Sequence, residues 1–437
     1  MSQISQAKTD SPRTTPIFPS LGPFQLARFV RWECAALFVI GIMFWGDFSF
    51  HQTDIVHYAY KMDFLGIYVG PRAVATGLGP ELYELPVQKA ISAASIQPYA
   101  RSVMPFVYPA YVAVVLRPLG SLPFRAAIKA WLLFNLAAVF WSGLRLSRLF
   151  ASSLCDRLAI LAVFFAWTPL QLTLVQGQMG MLPTLGFVEA LIALRSMRPW
   201  RAGLWLSLGL MKPQLVVFPL FLFVIWRCWQ GIAAFVAVSA AVLGISFAAI
   251  GIWITKYLNF LADYNRRGPE LSLYPIAMQN WRGLASWLFG TDHGWAARTF
   301  ILSLTALSAA ALWFVTRDRP TSAFNKLHLS LTYEAQYSVA IILGLLSSPH
   351  LYMHDWVAAL PAGFVLWCFA REKFARTVSD RRARFLLWLI GLAPLVFFTK
   401  QFIATGPMVA IYGLILVSVA IMMLGFPRFE PPSGEAY

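Results

Sequence analysis

Apolar residues run along this chain in blocks close to the ~20 positions a helix needs to cross hydrocarbon, too long and too continuous for the alternation of an outer-membrane strand. Blocks at residues 32–50, 126–144, 158–175, 179–196, 231–253, 295–316, 333–348, 356–370, 385–400 and 405–425 each read as one crossing. Residues 201–227 are long for one crossing and short for two, and Met211-Lys212-Pro213-Gln214 interrupts them. A broken helical hairpin resolves this, because its proline removes a backbone donor and its lysine cannot face lipid cheaply, so both must line a protein cavity. Residues 107–119 read as a re-entrant helix that dips in and returns before the 126–144 crossing. The pattern predicts an all-α polytopic membrane protein with about twelve transmembrane helices.

The polar remainder sets the orientation. Residues 1–27 are rich in Ser, Thr, Pro and Gln without apolar periodicity and read as a disordered cytoplasmic tail. Arg28 and Arg31 flank the first block, a retained anchor with its N-terminus inside. A single membrane domain then covers residues 28–427, and 428–437 form a cytoplasmic tail. Arg145, Arg148 and Arg157, then Arg195, Arg198 and Arg201, then Arg317, Arg319 and Lys326, and a cluster from Arg371 to Arg384 mark inside loops. Segments 51–104 and 255–294 fall outside, the first with room for re-entrant or interfacial helices.

Composition agrees: 59% of residues are hydrophobic and 12% charged, with mean hydropathy +0.63, which excludes a soluble protein. A net charge of +16 is compatible with a nucleic-acid partner, but the basic residues gather between apolar blocks, where they set topology and meet anionic head groups. Nucleic acid is therefore not expected. The four cysteines stand singly, so neither a disulfide framework nor a zinc site is indicated.

In this topology the unusual polar segments all emerge on the external side, where they can share one site. Asp63, in Met62-Asp63-Phe64-Leu65-Gly66-Ile67-Tyr68, opens a short amphipathic helix soon after the first crossing. A carboxylate at a membrane surface can take a proton from a hydroxyl if partial burial raises its pKa toward the working pH. Asp54 is the rival carboxylate. Lys212 suits a phosphate oxygen as a compact cation, or else a salt bridge to a neighbouring helix, and Gln214 offers its amide to the same cavity. Ser347 to Asp355 concentrates His350, Tyr352, His354 and Asp355: one imidazole can donate to a phosphate or sugar hydroxyl while Asp355 orients the other. The i, i+4 histidines lack a zincin pattern, and metal ligation is not expected. Arg282, in Gln279-Asn280-Trp281-Arg282-Gly283, can reach a phosphate from the second long loop. Tyr83 and Tyr108-Pro109 shape the cavity. No P-loop, GxSxG, Rossmann fingerprint or DxD pair is present, which disfavours an ATP-driven pump or a soluble-type sugar transferase.

Taken in order, Asp63-Phe64, Leu82-Tyr83, Tyr108-Pro109, Gln176-Gly177-Gln178, Lys212-Pro213-Gln214, Gln279-Asn280 and Ser348-Pro349-His350 resemble glycosyltransferase family 87, membrane enzymes of the GT-C class that include polyprenyl-phosphate-mannose-dependent mannosyltransferases. The similarity spans residues 31–361. It implies a GT-C-type helical bundle in a bacterial cell (inner) membrane, and an inverting hexosyltransferase. A polyprenyl-phosphate sugar would be the donor and a lipid-linked or cell-envelope glycan the acceptor, on the external face and without a metal. It places the general base at Asp63; the residues themselves suggest donor-phosphate contacts at Lys212, His350 and Arg282, and sugar or acceptor contacts at Gln176, Gln178, Gln214, Asn280, His354, Asp355 and Asp54. Two positions depart from the pattern: Ala110 stands where a second proline is expected, and Met179-Gly180 follow the Gly-Gln element where an asparagine is common. Broken helices and ionisable residues within spans also fit a transporter or flippase of a lipid-linked sugar. The long external segments and the lack of an obvious two-fold repeat favour the enzyme.

Overall fold

The computed structural model describes residues 63–96, 104–150, 154–317, 331–376, 381–402 and 406–425. The tails, the first block at 32–50 and Asp54 lie outside the described residues. Among those described there are helices and no strands. In chain order the α-helices are α1 (Phe64–Ala75), α2 (Leu85–Ile96), α3 (Ala110–Val115), α4 (Arg117–Gly120), α5 (Phe124–Phe150), α6 (Leu154–Ala166), α7 (Thr168–Gln176), α8 (Met181–Arg195) and α9 (Pro199–Leu206). There follow α10 (Val217–Ile225), α11 (Trp229–Ile250), α12 (Ile254–Arg267), α13 (Trp281–Phe289), α14 (Trp295–Thr316), α15 (Leu331–Ser347), α16 (Leu360–Arg376), α17 (Arg381–Phe402) and α18 (Met408–Gly425).

Among the described residues four stretches are long and apolar enough to cross a membrane: Phe124–Leu149, Trp229–Ile250, Trp295–Thr316 and Met353–Lys373. One block that hydropathy reads as a whole crossing is interrupted. The 158–175 block breaks at Trp167, ahead of Pro169 in the first turn of α7. Residues 199–225 form α9, two short 3-10 turns (Ser207–Met211 and Pro213–Leu215) and α10, so the helix is interrupted around Lys212 as expected. Segment 107–119, expected to be one re-entrant helix, forms two short helices, α3 and α4.

α11 and α14 carry apolar side chains outward, including Val236 at 55% and Leu302 at 70% exposure. Such faces suit lipid rather than water. Inside, α15 is buried on nearly every side and packs against α10, α14, α16 and α18, while α8 packs against α5 and α9. Charges bind these layers together. Arg145 of α5 pairs with Glu189 of α8 at 2.8 Å, and Arg195 Nη2 at the far end of α8 donates to Glu334 Oε2 of α15 at 2.7 Å. Glu334 is 1% exposed, so removing Arg195 strands a buried carboxylate, at a cost of about 3–5 kcal/mol.

α1 is where the sequence reading needs correction. The helix begins at Asp63 as expected, but it is not amphipathic at a surface: Phe64, Leu65, Ile67, Tyr68 and Val69 are all buried. The 104–122 segment wraps it. Tyr68 Oη donates to the Leu122 carbonyl at 2.7 Å and Arg72 Nη1 to that of Gly120 at 3.0 Å. A Cβ at Gly120 would sit 2.2 Å from the Pro71 carbonyl carbon, so only glycine allows this approach.

Candidate active site

Asp63 occupies the N-cap of α1. Its carbonyl accepts the Ile67 amide at 3.2 Å, yet its carboxylate makes no capping hydrogen bond. A capping Asp is ordinarily worth about 1 kcal/mol, so the side chain here is turned to another use. Burial pushes the Asp63 carboxyl above its usual range, opposed by a hydrogen bond from Gln178 and the charge of Lys212.

Gln178 reaches Asp63 because α7 ends in a left-handed glycine. Gly177 has φ +66°, and the Gln178 amide returns to the Thr173 carbonyl at 2.8 Å, the reversal that glycine permits after a helix. A Cβ at Gly177 would also lie 2.7 Å from that of Phe64. Conformation and contact both require glycine, and the outcome sets Gln178 beside the start of α1. Lys212 is delivered by the break before Pro213. Proline disfavours a helical conformation in the residue before it, and Lys212 sits at φ −138°, ψ 76° with 4% exposure. Asp355 lies on the 3-10 turn Met353–Ala359, where its Oδ2 accepts the Tyr352 amide at 3.2 Å.

These four residues form one line of contacts. Gln178 Nε2 donates to Asp63 Oδ2 at 2.5 Å. Lys212 Nζ donates to Gln178 Oε1 at 3.2 Å and forms an ion pair with Asp355 Oδ1. His354 Nε2 lies 3.5 Å from Asp355 Oδ2, and Tyr108 Oη makes a long contact of 3.4 Å to Gln178 Oε1. The His350 and Tyr352 rings meet edge to face at 5.0 Å. Burial pushes the His350 imidazole down to about 3, so it is neutral near pH 7 and has one N–H to give. Among the described residues no three His, Cys, Asp or Glu side chains cluster as metal ligands would.

The other expected site residues divide. Arg282 is already committed: it meets Asp292 at 2.6 Å, the Asn265 side chain at 2.9 Å and the Pro349 carbonyl at 3.2 Å. Asn280 caps α13, accepting the Gly283 amide at 2.9 Å and donating to the Ser348 carbonyl at 2.6 Å. Both therefore brace the loop that carries His350. Among the described residues Gln176 keeps a buried Oε1 without a partner, and Gln214 is half-buried on the 3-10 turn after Lys212. Tyr83 donates to the Tyr108 carbonyl at 2.9 Å, and Pro109 caps α3.

Side chains also tie the site's backbone segments to one another. Trp131 Nε1 donates to the Gly177 carbonyl at 2.8 Å, Thr173 Oγ1 to that of His354 at 2.9 Å, Trp356 Nε1 to that of Gln279 at 3.0 Å and Tyr111 Oη to that of Leu210 at 2.9 Å. An open cleft of about 380 Å3 behind Tyr83, lined by Glu84, Lys256, Asn259, Phe260 and Asp263, does not include Asp63. Sequence reasoning missed Asp292 and Tyr264. Tyr264 is buried four residues beyond Phe260, on a helix whose apolar spacing marked an inward face; nothing local marked Asp292.

The family model described as glycosyltransferase family 87 matches residues 106–349, more than half of the chain. Its relatives include polyprenol-phosphate-mannose-dependent alpha-(1-2)-phosphatidylinositol pentamannoside mannosyltransferases of Mycolicibacterium smegmatis and Mycobacterium tuberculosis, each 28% identical. The first alignment covers 75% of this chain and 77% of the relative. The second covers 62% and 60%, so the chain spans about three fifths of that relative's length. No solved structure matches the chain.

Proposed function

Because this chain belongs to glycosyltransferase family 87, we propose that it moves mannose or a similar hexose from a polyprenyl-phosphate donor to a lipid-linked or cell-envelope acceptor. The donor's tail lies between helices in the bilayer, and its phosphate sits near the His350 loop that Arg282 braces. Gln176 and Gln214 face the sugar or acceptor hydroxyls. The acceptor hydroxyl attacks the anomeric carbon opposite the leaving phosphate and gives its proton to Asp63, inverting the centre. A monophosphate carrier leaves no diphosphate for a metal to gather. The site opens on the external face of a bacterial inner membrane, both termini are cytoplasmic, and about twelve helices cross.

The observation that carries this reading is the convergence of Asp63, Gln178, Lys212 and Asp355, with Asp63–Gln178 and Lys212–Asp355 contacts across 115 and 143 positions of sequence. Apolar surroundings make such a polar line costly unless it is fully partnered, which argues for use rather than accident. General-base help is worth roughly 10²–10⁴ in rate, and Asp63→Asn should lose about that much. The test is incubation of detergent-purified protein with polyprenyl-phosphate mannose and a lipid acceptor extract. Mass analysis should show a glycolipid one hexose heavier; its absence overturns the reading, and an Asp63→Asn protein with undiminished turnover removes the base.

A further inference from the structure

We infer that Gln178, held in one orientation by Lys212, is a positioning residue that ties down Oδ2 of Asp63 and leaves Oδ1 as the atom that takes the acceptor's proton. This rests on the reading of Asp63 as the base. It also takes Lys212 away from the donor phosphate and gives it a different task.

The chemistry of the contacts fixes the amide. Lys212 offers only donors, so the Gln178 atom facing it must be Oε1, which then turns Nε2 toward the Asp63 carboxylate. A flipped amide would set NH2 against the ammonium and oxygen against carboxylate, two repulsive contacts in a buried site. Gln178 is 5% exposed, so water cannot substitute for either partner. Its main chain is fixed as well, by the Gly177 reversal and by Trp131 on the Gly177 carbonyl. Among the described residues Asp63 Oδ1 has no hydrogen-bond partner.

An amide between the two charges preserves reactivity. An ammonium in direct contact would favour the ionised carboxylate strongly and make it a poor proton acceptor. Asp355 neutralises Lys212 from its other side, so the lysine can orient the amide without presenting a net charge to the base. For the same reason it has little attraction left for a phosphate.

Three proteins test this in the purified transferase assay, with kcat followed across pH. Gln178→Met keeps length but removes both hydrogen bonds. It should lower kcat about 100-fold, the scale of a misplaced reacting group, and should move the acid limb to higher pH, because the carboxylate loses a donor that favoured its ionised form. Lys212→Met/Asp355→Leu removes the ion pair as a unit and keeps the amide. Its kcat should fall while the KM for polyprenyl-phosphate mannose stays within about threefold, below the tenfold that 1.4 kcal/mol of lost binding would produce. An unmoved acid limb in Gln178→Met, or a KM raised tenfold or more in the double variant, overturns the inference. The third protein, Asp63→Asn, separates the two ideas: if it keeps full turnover, the base assignment fails and the positioning role goes with it. If Asp63→Asn is inactive and the other two behave as wild type, only the positioning role fails. Should Gln178→Met not fold, the double variant decides alone.

Discussion

The Lys212–Asp355 pair should be strongly coupled in stability. Its side chains are 4% and 1% exposed, so each charge is compensated almost wholly by the other. Lys212→Met leaves Asp355 with the Tyr352 amide at 3.2 Å and His354 at 3.5 Å, and should cost about 3–4 kcal/mol. Asp355→Leu leaves Lys212, among the described residues, with Gln178 alone and also orphans the Tyr352 amide, so it belongs at the upper end, about 4–5 kcal/mol. The double variant strands no charge. It should lie within about 1–2 kcal/mol of wild type, chiefly for the lost acceptor of Tyr352, giving a coupling energy of at least about 5 kcal/mol. Equilibrium unfolding of micelle-solubilised protein, followed by tryptophan fluorescence, reads all four corners of the cycle. Additive losses, with the double variant less stable than either single one, would refute the claim that the two charges compensate each other.

Other expectations follow from the same contacts. Gly177→Ala puts a Cβ on a residue at φ +66° and 2.7 Å from Phe64; it should cost about 1–2 kcal/mol and lower kcat by displacing Gln178, checked by unfolding and turnover together. Arg195→Met should lose about 3–5 kcal/mol by stranding Glu334, with residual activity per folded molecule unchanged, since the pair lies at the opposite end of α8 from Gln178. The raised Asp63 carboxyl has two consequences of opposite sign. Turnover should rise as pH increases through its folded pKa, above the ~3.9 of a free Asp. Stability, by contrast, is fully favoured below the unfolded pKa and declines as pH rises through the folded one, so Asp63→Asn should stabilise the protein at neutral pH and not near pH 3. An unfolding midpoint for Asp63→Asn equal to wild type at both pH values would contradict that.

The parts of this structure that hydropathy revealed are those where a physical cost shows in one dimension. Lys212-Pro213 within an apolar block, Gly177 between two helices and the histidine-rich break after Ser347 are expensive wherever they occur, and each falls in the site. Pairing is a different matter. Nothing in the sequence separates a Lys212 that meets phosphate from one that meets Asp355, because both answers satisfy the same buried charge. Arg282 was open to the same ambiguity, and its partner Asp292 is unremarkable in sequence. Apolar length is likewise silent on kinks, which is why residues 158–175 read as one crossing and fold as two helices meeting at Trp167. The burial of α1 is hidden in the sequence because its outer cover, residues 104–122, is contributed by a segment that apolar length alone marks as a membrane dip.

The indole, hydroxyl and amide ties between sequence-distant backbones bear on how this protein can be altered. Gly177, Leu210, Gln279, Ser348 and His354 each hand their carbonyl to a side chain from elsewhere in the chain. A loop transplanted from a homologue arrives without the side chain that its new neighbour expects to hold. Exchange of substrate preference by grafting should therefore succeed only when both ends of every such tie travel together, which makes the whole mouth of the bundle, rather than any single loop, the smallest interchangeable unit.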